Sequence, residues 1–336
     1  SRAVRRPAGG ATGSQGDESS RLSRVWPMST GAGLLIVKAR FRDGGLHDIC
    51  VELPRPSVTK LFIGQVPDAV AKTVPYLFTL CAHAQRAAAQ AAVAVAQGEA
   101  PRLFDSNELW IEVLHENLWR LLLDWPPALG LRPEKEAFIA WRNARQGGDC
   151  LGETRSLLRC SLRPIAEKCL EMLVDRSTEE VAPDDGDQEV PSTSPLVPDA
   201  WLAYWQGNSA QMPIMPVPTS VRSAFLARLA ETLAAVDALG SGAPFPVASA
   251  GGGGWGVGQT QTARGVLTHA VHIVAGKVVN YRVQAPTDSF FTDATALSSL
   301  LANLGFASLD QARQGLNRAI LALDPCVPYV VECLDA

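Results

Sequence analysis

The residues of this chain best suited to hold a metal are its seven cysteines, Cys50, Cys81, Cys150, Cys160, Cys169, Cys326 and Cys333. Thiolates favour soft metals. No two of the seven form Cys-x-x-Cys, so a four-cysteine zinc site is not expected, and the odd count argues against a disulfide framework. Free thiols in a reducing cytosol fit better. Cys81 enters an alanine-rich helical run, and a helix N-terminus lowers a thiol's pKa toward the thiolate that a metal needs. Cys326 follows Asp324-Pro325, and the proline ends the apolar helical run before it. The cysteine therefore sits on irregular chain, ahead of the apolar pair Val330-Val331 that would bury such a tail. Each thiol also reads as a small core residue. Cys50, Cys150, Cys160 and Cys169 are read as structural, and Cys333 as a thiol on a frayed tail.

Other polar groups are weaker candidates. His269 and His272 lie an odd number apart on a strand pattern, so they face opposite sides and cannot share a metal. Glu112, His115, Glu116 and Trp119 share one helical stretch and read as a partly solvated face. An isolated Arg264-Gly265 reads as a turn open to solvent.

The elements that must position these groups follow from periodicity. Leu34 to Arg42 and His47 to Leu53 are β-branched-rich runs around Asp43-Gly44-Gly45, a hairpin signal. Tyr76 to Gln85 runs into an alanine-rich helix from Arg86 to Gln97, suited to close packing. Ser106 to Asp124 carries the stripe Leu109, Val113, Leu114, Leu118, Leu121 and Leu122. Ser106 is the expected N-cap, and Trp125-Pro126-Pro127 the expected stop. Helical patterns recur at Glu134 to Arg145, Leu162 to Asp175 and Thr219 to Leu239. Gly251 to Gly254 reads as a flexible hinge. A second hairpin is expected from His269 to Gln284, turning at Ala275-Gly276 and closed by Pro286-Thr287.

Composition excludes several classes. With 336 residues, 47% of them hydrophobic, the chain can bury a sizeable core. A formal net charge of −4 gives no electrostatic reason to expect nucleic acid. No apolar run approaches the roughly 20 residues needed to span a bilayer. The first 27 residues have almost no large apolar side chains and are expected to be disordered, with Met28 as a candidate start. Arg5-Arg6 is not followed closely by the apolar run of an export signal. Ser177 to Pro198, rich in Asp and Glu, reads as a solvated acidic loop or linker.

Three segments, in order, resemble the large subunit of nickel–iron hydrogenases. The first is Arg55, Gly64-Gln65 and Cys81, similar to that family's Arg-Gly-x-Glu, Gly-Arg and Cys-Gly-x-Cys-x-x-x-His. Here Val58 stands for the glutamate, Phe78 for the first cysteine and Gln85 for the histidine. The second is Arg264-Gly265, a hairpin, then Pro286-Thr287. The third is Asp324-Pro325-Cys326, similar to Asp-Pro-Cys-x-x-Cys-x-x-His, with Tyr329 for the second cysteine and Glu332 for the histidine. The run Leu121-Leu122-Leu123-Asp124-Trp125-Pro126 and this pattern of losses resemble the HupK/HoxV family, large-subunit-like scaffold proteins of hydrogenase maturation.

That resemblance implies an α+β, mostly helical fold: a hydrogenase-large-subunit-like bundle with a small antiparallel sheet and hairpins. It would occupy residues 33–336 as a single domain. The function implied is that of a cytoplasmic carrier of an iron–dicyanide–carbonyl precursor. Cys81 and Cys326 would be the metal ligands, and Arg264, Pro286 and Thr287 would surround the diatomic ligands. The implied partners are the large-subunit precursor, a small maturation chaperone and the complex that delivers the iron fragment. With one thiol left per motif, neither nickel nor hydrogen turnover is expected. The chain ends shortly after Glu332, so no extension is expected for a maturation protease to remove. A true hydrogenase would need four paired cysteines. A cofactor-free mimic of the large subunit, binding maturation partners alone, would need neither thiol nor Arg264.

Overall fold

The computed structural model describes residues 33–101, 103–145, 147–173 and 194–335. The expected disordered extension, Met28 and most of the acidic stretch 177–198 lie outside the described residues.

Hairpin β1 (Leu35–Arg42) and β2 (Gly45–Glu52) forms where alternation and Asp43-Gly44 demand it, with φ of 52° and 76° in the turn. Leu35, Val37 and Ala39 point inward and are buried. The edge of β1 is taken by β7 (Tyr329–Asp335), which runs parallel from Leu35↔Tyr329 to Phe41↔Asp335. The sequence led us to expect an irregular tail here. Strand pairing orders it, and Cys333, expected on a frayed end, is buried opposite Ala39.

The second sheet is antiparallel, β3 (Val247–Gly252), β4 (Trp255–Thr262), β5 (Gly265–Val274) and β6 (Lys277–Gln284) in that order. Only β5 and β6 were legible beforehand. The glycines taken for a hinge instead end β3 and form its turn, with φ of 60° and 81° at Gly253 and Gly254. Gly64-Gln65 docks on the far edge, exchanging backbone hydrogen bonds of 2.8 and 3.0 Å with Val278.

Between α1 (Pro67–Leu77) and this sheet lies α2 (Ala82–Ala96). Alanine is the best helix former and has almost no side chain to hold a neighbour away. Opposite it, β4 supplies glycine: a Cβ on Gly256 would stand 2.0 Å from the Ala92 carbonyl oxygen, and one on Gly258 2.1 Å from that of Ala88. Helix and strand meet backbone to backbone, which fixes the height of Cys81 at the head of α2.

The other face carries the main core. α3 (Ser106–Trp119) is capped by Asp105, which accepts the N–H groups of Asn107 and Glu108. Ser106, the expected cap, instead accepts the Phe245 N–H at 2.9 Å. Pro126 and Pro127 do not stop this helix. A π turn at Arg120–Asp124 widens it ahead of the prolines, and it continues as α4 (Trp125–Ala128). The same device precedes Pro164, where a π turn at Leu158–Leu162 joins α6 (Cys150–Leu157) to α7 (Arg163–Met172). Proline has no N–H to give and crowds the carbonyl four residues back, and a wider turn relieves both. α5 (Lys135–Ala144), α8 (Pro198–Trp205) and α9 (Val221–Ser241) complete this half. Then α10 (Pro286–Phe290), α11 (Thr295–Leu301) and α12 (Leu309–Leu323) lead to β7. Leu114, Leu118, Leu122, Trp125, Phe225 and Leu316 sit at the centre of the core they share. Among the described residues no helix is long and apolar enough to cross a membrane.

Candidate functional site

Cys81 is the residue before the first turn of α2, and Cys326 lies on the short stretch between α12 and β7. The fold brings them within electrostatic reach of each other and of Arg264. Both are free thiols, half-buried. The Cys326 amide N–H donates to the Thr287 hydroxyl at 2.9 Å, and Thr287 is buried in α10 immediately after Pro286. Arg55 reaches in from the chain after β2. Its Nε donates to Asp288 at 2.8 Å and its Nη2 points at the Cys326 sulfur from 3.7 Å. Gly265, at φ 120°, leaves space only for the Met215 methyl and sits against Pro286, which sets Arg264 beside the Pro286-Thr287 turn. Cys81, Cys326, Arg264, Pro286, Thr287 and Arg55 therefore gather at one place, from five separate segments.

The helix-terminus expectation for Cys81 is corrected. The first N–H groups of α2 are not offered to the thiol. Glu112 of α3 takes them, accepting from His83 at 2.8 Å and Ala84 at 2.9 Å. The positive end of α2 is thus neutralised by a carboxylate. Burial and then that carboxylate push the Cys81 thiol up to about 12, against the pull of Gln85 and Arg264.

Glu112 and Glu116, read from sequence as a partly solvated face, belong to the site. Glu116 accepts from Arg264 Nη2 at 2.8 Å, and its carboxyl is held down to about 2 by the Arg264 guanidinium and by His115, against the cost of burial. Asp324 is the other anchor. It is 1% exposed and caps α12 in the left-handed conformation, with φ 46°. Three guanidinium groups surround it: Arg120 Nε at 2.5 Å, Arg228 Nη2 at 2.8 Å and Arg264 Nε at 3.4 Å. Together they hold its carboxyl well below the usual carboxylate range, though burial alone would raise it. Arg120 comes from the π turn and also bonds Asp124 and the Pro325 carbonyl. This ring of charge clamps the Asp-Pro-Cys turn. Sequence reasoning missed it because a buried arginine looks like a surface one until its partner is known.

Arg264 is spent only in part. Its side chain is 4% exposed. The 3.4 Å approach of Nε to Asp324 is a charge contact without hydrogen-bond geometry, so this buried N–H has no acceptor among the described residues. A cavity of about 380 Å³ is lined by Arg264 itself together with Met215, Arg228, Glu231, Gly265 and Asp324, and neither Cys81 nor Cys326 is among its lining residues.

The substituted motif positions have structural employment. Phe78 caps the end of α1 with its ring edge-on to His269, centroids 6.5 Å apart. Tyr329 opens β7 opposite Leu35, and Glu332 is exposed beside Lys38. His269 and His272 do part ways as expected: the first is buried, and the second stacks on Trp255 at 4.2 Å. Among the described residues no three His, Cys, Asp or Glu side chains converge as metal ligands. Two thiolates leave open positions on a four- to six-coordinate metal, which other ligands must fill. Donors such as the Arg264 N–H and the Thr287 hydroxyl suit acceptor ligands.

No protein-family model matches the chain. It is 30% identical to the hydrogenase expression/formation protein HupV of Azotobacter chroococcum mcd 1, over 91% of this chain and 100% of that protein. Identity to HupK of Azotobacter vinelandii is 29% with the same coverage, and to HoxV of Cupriavidus necator 26% over 91% and 98%. Among solved structures, the nickel–iron–selenium hydrogenase of Desulfovibrio vulgaris Hildenborough superposes with a TM-score of 0.58 over 88% of this chain and 98% of that one, at 13% identity. That of Desulfomicrobium baculatum gives 0.54 at 11% identity, over 86% and 95%. The fold is that of a hydrogenase large subunit.

Proposed function

This chain belongs to the HupK/HoxV family of hydrogenase expression/formation proteins, and on that footing we propose that it is a scaffold for the iron half of the nickel–iron cofactor. It takes up iron carrying two cyanides and one carbon monoxide, holds it between Cys81 and Cys326, and passes it to the large-subunit precursor in the cytoplasm. The iron fragment is cargo, delivered by a donor complex and handed on with the help of a small maturation chaperone. Nickel is not part of the load, since each motif keeps one thiol.

The observation that carries this reading is the buried Arg264 Nε–H without an acceptor among the described residues, within electrostatic reach of two free thiols. A buried donor left unpaired costs about 1–3 kcal/mol. An iron-bound cyanide is an acceptor that such a donor would satisfy. Thr287, whose oxygen already accepts the Cys326 N–H, keeps its O–H proton for a second acceptor. Soft thiolates suit low-spin iron, and Arg55 supplies positive charge beside the Cys326 sulfur.

The test is the infrared spectrum of this protein, purified without oxygen from cells that express the maturation machinery. Cyanide and carbonyl stretching bands, with bound iron, are expected. Protein without such bands that still captures the large-subunit precursor would be a cofactor-free mimic, and the carrier reading would fall.

A further inference from the structure

Cys81 is the end of a buried hydrogen-bond chain that nothing in the carrier reading requires. Gln85, one turn along α2, directs its Nε2–H to the Cys81 sulfur at 3.5 Å. Its other amide atom, Oε1, is 2.7 Å from His269 Nε2, and His269 Nδ1 is 2.8 Å from the Tyr281 hydroxyl. Gln85 is 3% exposed, His269 0% and Tyr281 3%. The chain thus crosses from helix α2 through strand β5 to strand β6.

Its direction follows from the donor inventory. A carbonyl oxygen only accepts, so Gln85 Oε1 must receive a proton from His269 Nε2. A neutral imidazole carries a single N–H, so Nδ1 is bare and accepts the Tyr281 O–H. Burial keeps this imidazole neutral, pushing it down to about 3. Every link then donates toward Cys81: Tyr281 to His269, His269 to Gln85, Gln85 to sulfur. Without His269 the amide could turn over and offer its oxygen to the sulfur instead. Phe78, edge-on to the His269 ring, closes the side of the chain facing α1.

We propose that Gln85, oriented by His269 and Tyr281, is a positioning residue that tunes the bond between Cys81 and the carried iron. This rests on the carrier reading and adds to it. A hydrogen bond to a metal-bound thiolate withdraws electron density from the sulfur, weakening its donation to the metal. A carrier must bind and also let go, and a donor aimed permanently at one of two ligands favours release at that ligand. Cys326 has a different neighbour, the cationic Arg55 at 3.7 Å. The two sulfurs are therefore not equivalent, and the neutral chain marks Cys81 by geometry alone.

The experiment compares loaded wild-type protein with Gln85→Met, which keeps length and volume but donates nothing, and with Tyr281→Phe, which removes one oxygen two side chains from the sulfur. Losing the donor leaves the thiolate richer in electrons, and iron passes that density to its diatomic ligands. The cyanide and carbonyl bands of Gln85→Met should move several wavenumbers lower. Tyr281→Phe should move them less, in the same direction, and transfer of iron to an acceptor thiol such as dithiothreitol should slow several-fold in Gln85→Met. A merely structural role for the chain would lower occupancy without moving the bands. Should Gln85→Met fail to load, Tyr281→Phe decides. Bands unmoved in loaded variants would overturn this inference and leave the carrier reading standing. Absence of bands from the wild type would overturn both.

Discussion

The backbone N–H of Cys326 ends on the hydroxyl of Thr287, 2.9 Å away, tying the turn after α12 to the buried start of α10. Thr287→Val keeps the shape of the side chain and removes the acceptor. A buried N–H without a partner costs about 1–3 kcal/mol. The expected outcome is a lower urea midpoint and weaker iron retention, with the far-ultraviolet spectrum unchanged.

The two thiols separate from the other five by their surroundings. Cys81→Ala and Cys326→Ala should each abolish the infrared bands while costing only about 1–2 kcal/mol of stability. Cys160 is exposed on the π turn before α7, and Cys160→Ala should load as wild type. Equal loading by all three variants would show that the thiols play no part.

Asp324 holds three arginines together, so its loss is costly. Asp324→Asn leaves buried guanidinium charge without its counter-charge, a loss of about 3–5 kcal/mol, read as a fall in melting temperature. Asparagine tolerates the left-handed backbone, so the penalty isolates the charge. The pH dependence has a defined sign. Asp324 and Glu116 both have depressed carboxyl pKa values in the folded chain, Glu116 at about 2. Their contribution is present above the unfolded values of roughly 4. It is lost as pH falls through that range toward the folded values. Urea midpoints should drop on acidification, and the drop should be smaller in Asp324→Asn.

Glu231 runs the other way. It lines the same cavity as Arg264, and burial pushes its carboxyl up to about 7 despite the pull of Arg228 and a hydrogen bond from Asn117. The folded chain binds this proton more tightly than the unfolded chain does. Stability is therefore lost as pH rises from the unfolded value of roughly 4.3 to about 7. Glu231→Gln should raise the melting temperature more at slightly alkaline pH than at mildly acidic pH.

Gly256 shows how little room α2 has. An alanine there would place its Cβ 2.0 Å from the Ala92 carbonyl oxygen, so helix or strand must move. Overpacking of this kind costs about 1–3 kcal/mol. Because α2 carries Cys81 at its head, Gly256→Ala should also shift the cyanide and carbonyl bands, whereas Gly305→Ala, in open space, should change neither stability nor spectrum.

Much of this was legible in the residues. The two hairpins announced themselves through Asp43-Gly44 and Ala275-Gly276, and Cys81, Cys326, Arg264 and Thr287 were found as motif members and do assemble. β3 and β4 were not legible, because their glycines answer to α2 rather than to strand propensity. A run such as Gly251 to Gly254 reads as slack chain until the alanine helix above it is known. Glu112, Glu116 and Arg228 were missed for a related reason. A charge on an amphipathic helix is a solvated face by default, and only the arrival of a distant partner turns it inward. Asp324 stood in plain view inside its motif, but its three arginines come from a π turn, a helix and a hairpin turn far apart in the chain.

The parallel pairing of β1 with β7 has a consequence for how the molecule comes into being. Leu35 leaves the ribosome well before Tyr329 and must wait for it, with nearly the whole described chain synthesised in between. Until then the inner hairpin strand has an open edge, and the turn that bears Cys326 has not been made. At about 5–20 residues per second the wait is long compared with the folding of hairpins and helices. The two thiols therefore cannot meet until Cys326 has been made, and under the proposed carrier role loading would begin only once almost all of the described chain has been synthesised.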